Sequence, residues 1–166
     1  HSTFFPAKLR WLRETRPAVF GRAARWGGFA EVLHARLTGS WQCSLSMASG
    51  TGLLDQERGG WDRVMLEAAG IAADVLPSID DEPRVGLIAP WAERWPALAR
   101  VPWYPAHGDG ACSNMGSGCA GPDRIALNVG TLGGLRVGRA EGLGPHRTAP
   151  PGLWRYRVDG RRALVG

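Results

Sequence analysis

Lysine is almost missing from this sequence: of its 20 basic residues, 19 are arginine and one is Lys8. The formal net charge of +5 and pI near 9.8 suggest a polyanionic partner. The arginines, however, are scattered among acidic and apolar positions, with no basic block or helix stripe. Spaced aromatics and paired Cys/His motifs are also missing, so nucleic acid is not an expected partner. Cysteine is scarce too. Cys43, Cys112 and Cys119 are odd in number and contain no CxxC pair, which argues against a disulfide scaffold and for reduced, buried thiols. No apolar run approaches the roughly 18 residues that a membrane helix requires, and no signal-peptide pattern opens the chain. No membrane partner is expected, and the cytoplasm is the default location.

What is present fits a globular protein of 166 residues, 44% hydrophobic and 21% charged. The chain opens on His1 and closes on the apolar run Arg161–Gly166, which reads as a strand with nothing after it to pair with. The expectation is a piece of something larger. Pro6 and Pro17 open two helices, the second over residues 18–25. Apolar spacing predicts a third over Phe29–Leu37, stopped by Gly39, and a fourth over Trp61–Ala69, stopped by Gly70. Trp41–Leu45 reads as a strand and Ser46–Leu54 as closely packed backbone. Further on come a strand at Arg84–Ile88, a helix at Pro90–Leu98 and a strand at Val101–Ala106, followed by a small-residue helix running to Gly121. Arg124–Val129 reads as a buried strand, Gly130–Gly134 as a turn and Leu135–Val137 as a strand. Leu153–Val158 and Arg162–Val165 form a hairpin around Asp159-Gly160. The order points to an α/β fold.

Two segments can carry chemistry. In His107-Gly108-Asp109-Gly110, a carboxylate stands where a strand gives way to a helix, a common ligand position in α/β folds, and the flanking glycines permit close approach. On spacing alone the plainer reading is favoured, that Asp109 merely caps that helix. Asn128-Val129-Gly130-Thr131-Leu132-Gly133-Gly134 ends a strand with free amides and a hydroxyl that suit phosphate oxygens, and it also fits a plain glycine hairpin.

Other patterns carry less. Gly116–Gly121 matches the string G-x-G-x-x-G, but it follows a helix and precedes a strand, the reverse of the dinucleotide-binding context. His107, Asp109 and Cys112 do not have converging metal-ligand spacing, so no protein-held metal is expected. Cys112 and Cys119 read as small core residues of one helix rather than nucleophiles. The eight tryptophans, Trp11, Trp61 and Trp95 among them, read as core.

Taken together, six stretches resemble the FGGY family of carbohydrate kinases. They are Phe5–Leu12, Leu33–Gly39 (LHARLTG), Ser46–Asp55 (SMASGTGLLD), Trp61-Asp62, His107–Gly118 (HGDGACSNMGSG) and Ile125–Val137 (IALNVGTLGGLRV), in family order and spacing. Together MASGTGLLD, GDGACSNMGSG and PPGLWRYRVDG look most like the gluconokinase-type branch. The resemblance implies an actin-like ATPase (ribonuclease H-like) fold, here partial. Residues 1–121 would be the latter part of the N-terminal sugar-binding domain, and 122–166 the beginning of the C-terminal ATP-binding domain.

The implied activity is ATP-dependent phosphorylation of a sugar or sugar acid, gluconate-like first, with a xylulokinase or another pentulose or polyol kinase as the alternative. Asp109 matches the family's catalytic aspartate. Gly130, Thr131 and Gly133 match its second phosphate loop, and Phe5, Gly108 and Gly110 are candidates for the substrate pocket. ATP and Mg²⁺ would be the cofactors. Leu132 departs from the family pattern, standing where a small polar residue is usual. A reading of another class is a non-catalytic binding or assembly unit, whose open sheet edges would pair in a homodimer.

Overall fold

The computed structural model describes residues 4–130, 133–140, 149 and 151–166. The first half is built from short helices with local start and stop signals. Helix α1 (Phe5–Thr15) and α2 (Pro17–Arg22) each begin with proline in the first turn, where the missing N–H has no helical partner to lose. Helix α3 (Phe29–Thr38) ends on Gly39 at φ +77°, a left-handed position that suits glycine. Asp62 caps α5 (Arg63–Ala69) by accepting from the N–H groups of Val64 and Met65.

Between these helices runs β1 (Gln42–Cys43), then α4 (Leu45–Ser49), and β1 pairs in parallel with β2 (Ser78–Ile79). Only two residues of the expected strand Trp41–Leu45 pair in a ladder, because Ser44 turns the chain into α4 by accepting from the Met47 N–H at 3.0 Å. β3 (Arg84–Val85) and β4 (Pro102–Trp103) form a small antiparallel ladder around α6 (Ala89–Arg94) and a 3₁₀ turn at Pro96–Leu98. The core here has two parts. Leu9, Leu53, Leu66, Ala69 and Leu76 form one, with Phe5 and Trp61 packed against it; Cys43, Leu45, Ala48 and Leu54 form the other.

The last third is a four-stranded antiparallel sheet in the order β5 (Ile125–Val129), β6 (Gly133–Ala140), β8 (Arg162–Val165), β7 (Arg155–Arg157). The closing run pairs with β7 in the expected hairpin and gains a second partner, β6, from earlier in the chain. β8 slots between β6 and β7 and bonds to both. Register places Ala126, Arg136, Gly138, Leu164 and Tyr156 on one face, and α7 (Asp109–Gly116) covers it, packing Ala111 and Met115 against Tyr156, Val158 and Leu164. The opposite face is open along β5 and at Leu135, although Ala163 and Val165 of β8 are buried on it, so β5 is not a buried strand: Ile125, Leu127 and Val129 are exposed and only Ala126 is buried.

Three other expectations give way for similar reasons. The helix from Asp109 stops at Gly116 instead of reaching Gly121, since Gly118 takes φ +73°. Cys112 is exposed and Cys119 lies beyond the helix, half-buried, so neither is a core residue; Cys43 is. The tryptophans divide: Trp61 packs on the core, whereas Trp11 and Trp154 are more than half exposed.

Candidate functional site

The segment 106–110 is held from two sides by residues distant in sequence. On one side stand two fully buried serines at the start of α4. Ser44 Oγ donates to the Ala106 carbonyl at 2.6 Å, and Ser46 Oγ accepts from the Gly108 N–H at 3.1 Å. Ser46, in the small-residue run Ser46–Leu54, thus lets the backbone at Gly108 approach α4 closely and holds the Gly108 N–H next to Asp109.

Asp109 is the first residue of α7, and Gly108 occupies the cap position. Its carboxylate is exposed and accepts the next N–H, that of Gly110, at 2.7 Å. The capping reading therefore does not describe it: an N-cap side chain bonds two or three residues ahead, and this one bonds one ahead. The helix start contributes positive dipole beside the carboxylate. Ser113, one turn further on, faces Asn128: Asn128 Nδ2 donates to Ser113 Oγ at 3.2 Å. This contact brings the Asp109 face of α7 against the end of β5, from which the glycine turn departs.

In that turn, Val129 pairs with Gly133 across the ladder. Open space surrounds the positions where Gly130 and Gly133 would carry a Cβ, so an incoming group can reach their backbone. Thr131 and Leu132 lie outside the described residues. Of the remaining candidates, Gly108 and Gly110 flank Asp109 directly, while Phe5 opens α1, donates its N–H to the Thr51 carbonyl and packs on the first core cluster.

On the other side of Asp109 lie residues that sequence reasoning missed. Arg136 and Tyr156 rise from the covered sheet face toward Gly110. Burial pushes the Tyr156 phenol up to about 12; the Arg136 guanidinium opposes this, and the charges of Asp109 and Cys112 add to it. Tyr156 therefore remains a donor at neutral pH. Asn114, fully buried, donates to the Cys119 carbonyl at 3.2 Å and reaches the Arg136 carbonyl at 3.5 Å, tying α7 to β6. The available signal was indirect: the pattern Leu135-Arg136-Val137 alternates, but it puts the charged residue on the covered face.

Among the described residues no three His, Cys, Asp or Glu side chains group to hold a metal, and no helix is long and apolar enough to cross a membrane. The site supplies one carboxylate and accessible backbone amides, a donor set that fits a cation carried in on a nucleotide's phosphates better than one resident on the protein.

Comparison with known proteins bears on this arrangement. Residues 1–116 match the model of the "FGGY family of carbohydrate kinases, N-terminal domain". Among curated relatives, the xylulose kinase of Escherichia coli K12 is 29% identical over 132 residues, covering 78% of this chain and 27% of that protein. The gluconokinase of Bacillus subtilis is 25% identical over 138 residues, covering 79% and 26%. A ligand-bound xylulose kinase structure from Lactobacillus acidophilus superposes with a TM-score of 0.89 at 27% identity, covering 99% of this chain and 34% of that one. A gluconate kinase from the same organism gives 0.89, 27%, 99% and 33%. The chain spans about a quarter of the length of the curated relatives it matches. Its architecture is part of the actin-like ATPase fold of these kinases. On the family model and these superpositions together, the chain belongs to the FGGY family of carbohydrate kinases.

Proposed function

We propose that the whole protein transfers the terminal phosphoryl group of ATP to a hydroxyl of a sugar or sugar acid, with Asp109 as the base. The observation that carries this reading is the exposed Asp109 carboxylate at the first turn of α7, with the N–H of its neighbour Gly108 held by Ser46. In phosphoryl transfer the protein chiefly positions reactants and stabilises charge, and one carboxylate orients the attacking hydroxyl. A carboxylate is a weak base toward an alcohol, so the proton reaches Asp109 late, as the phosphoryl group leaves.

Gly130, Thr131 and Gly133 would hold nucleotide phosphates through backbone amides and the threonine hydroxyl, and Gly108 and Gly110 would let the sugar approach. Mg²⁺ would come with ATP and neutralise phosphate charge. The domain boundary belongs near Gly121-Pro122, before β5.

Xylulose kinases and gluconokinases are both among the relatives, so gluconate and xylulose are the first acceptors to try, with gluconate favoured by the sequence pattern. The test is a panel of gluconate, xylulose, ribulose and glycerol with the whole protein, followed by Asp109→Asn on the best acceptor. Turnover should fall at least a thousandfold with sugar binding retained. Near-normal turnover of Asp109→Asn would remove Asp109 from the role of base.

A further inference from the structure

Behind Asp109, on the α7 side of the sheet, is a set of polar atoms that the proposed transfer leaves unused. The Tyr156 hydroxyl and Nε and Nη1 of Arg136 are buried without a hydrogen-bond partner. Tyr156 is 8% exposed and stacks on Trp154 at 5.1 Å between ring centroids. The Arg136 guanidinium lies over the same Trp154 ring at 5.8 Å. Neither group rests there for a hydrogen bond, and a buried donor left unpaired opposes folding. Besides Trp154, the two side chains share a second neighbour, across the sheet–helix boundary.

That neighbour is Gly110. A Cβ at this position would overlap the Tyr156 hydroxyl and stand 3.3 Å from both Cζ and Nε of Arg136. The two side chains therefore abut the peptide whose N–H the Asp109 carboxylate accepts. They come from β6 and β7, while Gly110 belongs to α7. The contact joins the helix that bears the carboxylate to the sheet from which the glycine turn departs.

We propose that Arg136 and Tyr156 are positioning residues, a seat beneath Gly110 that sets where the Asp109 carboxylate stands relative to the glycine turn. The inference rests on the reading of Asp109 as the base. Serines hold the backbone leading to Asp109 from one side, and this seat holds the peptide after it from the other. Glycine suits 110 because a methyl group there would overlap the Tyr156 hydroxyl, and the buried, stacked Tyr156 would have to shift to admit it.

The test is a cycle of variants in the whole protein, read as kcat, as KM for sugar and ATP, and as melting temperature. Gly110→Ala should lower kcat at least tenfold, with both KM values within about threefold of the parent, because a displaced base harms the step more than ground-state binding. Adding Tyr156→Phe removes the oxygen the methyl runs into. The double variant should regain most of the lost kcat relative to Tyr156→Phe alone. Arg136→Met should likewise lower kcat at little-changed KM, and it carries the test if Gly110→Ala does not fold.

Unchanged kcat in Gly110→Ala, or no recovery in the double variant, overturns the seat. So does a fall in Arg136→Met that tracks melting temperature alone. Asp109→Asn separates the two claims. If it is inactive while Gly110→Ala is normal, only the seat fails. If Asp109→Asn turns over normally, the reading of the base fails instead.

Discussion

Leu164 sits at the centre of the assembly that carries the site, and its removal should be costly. It is 1% exposed on the middle strand β8, opposite Gly138 on β6 and Tyr156 on β7, and it packs with Ala111, Tyr156 and Val158. Leu164→Ala deletes three carbons from a fully enclosed position. Neighbours on both strands are bonded in register, so they cannot collapse into the gap, and a loss of about 3 kcal/mol is expected. For a chain of this size that corresponds to a fall in melting temperature of roughly 6–12 °C. Leu135→Ala is the matched control. The residue is the same type on the adjacent strand, but it faces the open side at 53% exposure, and its loss should stay within about 0.5 kcal/mol. The assay is thermal unfolding of both variants beside the parent, followed by circular dichroism. Equal shifts for the two leucines would refute the assignment of Leu164 to a covered position and Leu135 to an open one.

Two further perturbations follow from the first half of the chain. His34 is buried at 7% exposure with Nε2 unpartnered, and burial, then the nearby Arg84 charge, lowers its pKa below the ordinary 6.5. A lowered folded-state value means the unfolded chain takes up the proton first. Stability should therefore decline as pH falls through 6.5 and keep declining until the folded-state value is passed, and His34→Gln should flatten that limb of a melting-temperature profile from pH 7.5 to 5.5. Asp62→Ala removes the acceptor for two N–H groups of α5 and should cost about 1 kcal/mol, while Asp62→Asn should restore most of it; equal losses in a denaturant titration would count against capping.

Much of this architecture was legible because its signals are local. Pro6 and Pro17 open α1 and α2 where expected, and Gly39 and Gly70 close α3 and α5 in the left-handed conformation. The hairpin at Asp159-Gly160 also forms where turn chemistry puts it. Lengths were less legible. Trp41–Leu45 shrank to two residues because Ser44 offers the backbone an alternative partner, a competition that propensity does not weigh. β2 at Ser78–Ile79 has no periodicity to read, and it exists through pairing with a strand that lies more than thirty positions earlier. At the site, Asp109 and its glycines stood out in the sequence. Ser44, Asn114, Arg136 and Tyr156 did not, since each acts across a fold-level contact. Arg136 is the sharpest case: two-residue alternation would turn it to solvent and its leucine and valine neighbours inward, and α7 covers the other face.

The place of β8 has a consequence for how the molecule is made. Strands emerge from synthesis as β5, β6, β7, β8, but they lie in the sheet as β5, β6, β8, β7. β5 and β6 can zip as soon as they appear, whereas β6 then waits with an open edge until the chain through Val165 has been synthesised. Among the described residues β7 pairs with no strand but β8, so that pairing must wait as well. Because α7 rests on Tyr156, Val158 and Leu164, the helix bearing Asp109 has its floor laid last. Folding of this region should be limited by that late insertion, a non-local step whose closure entropy precedes its reward.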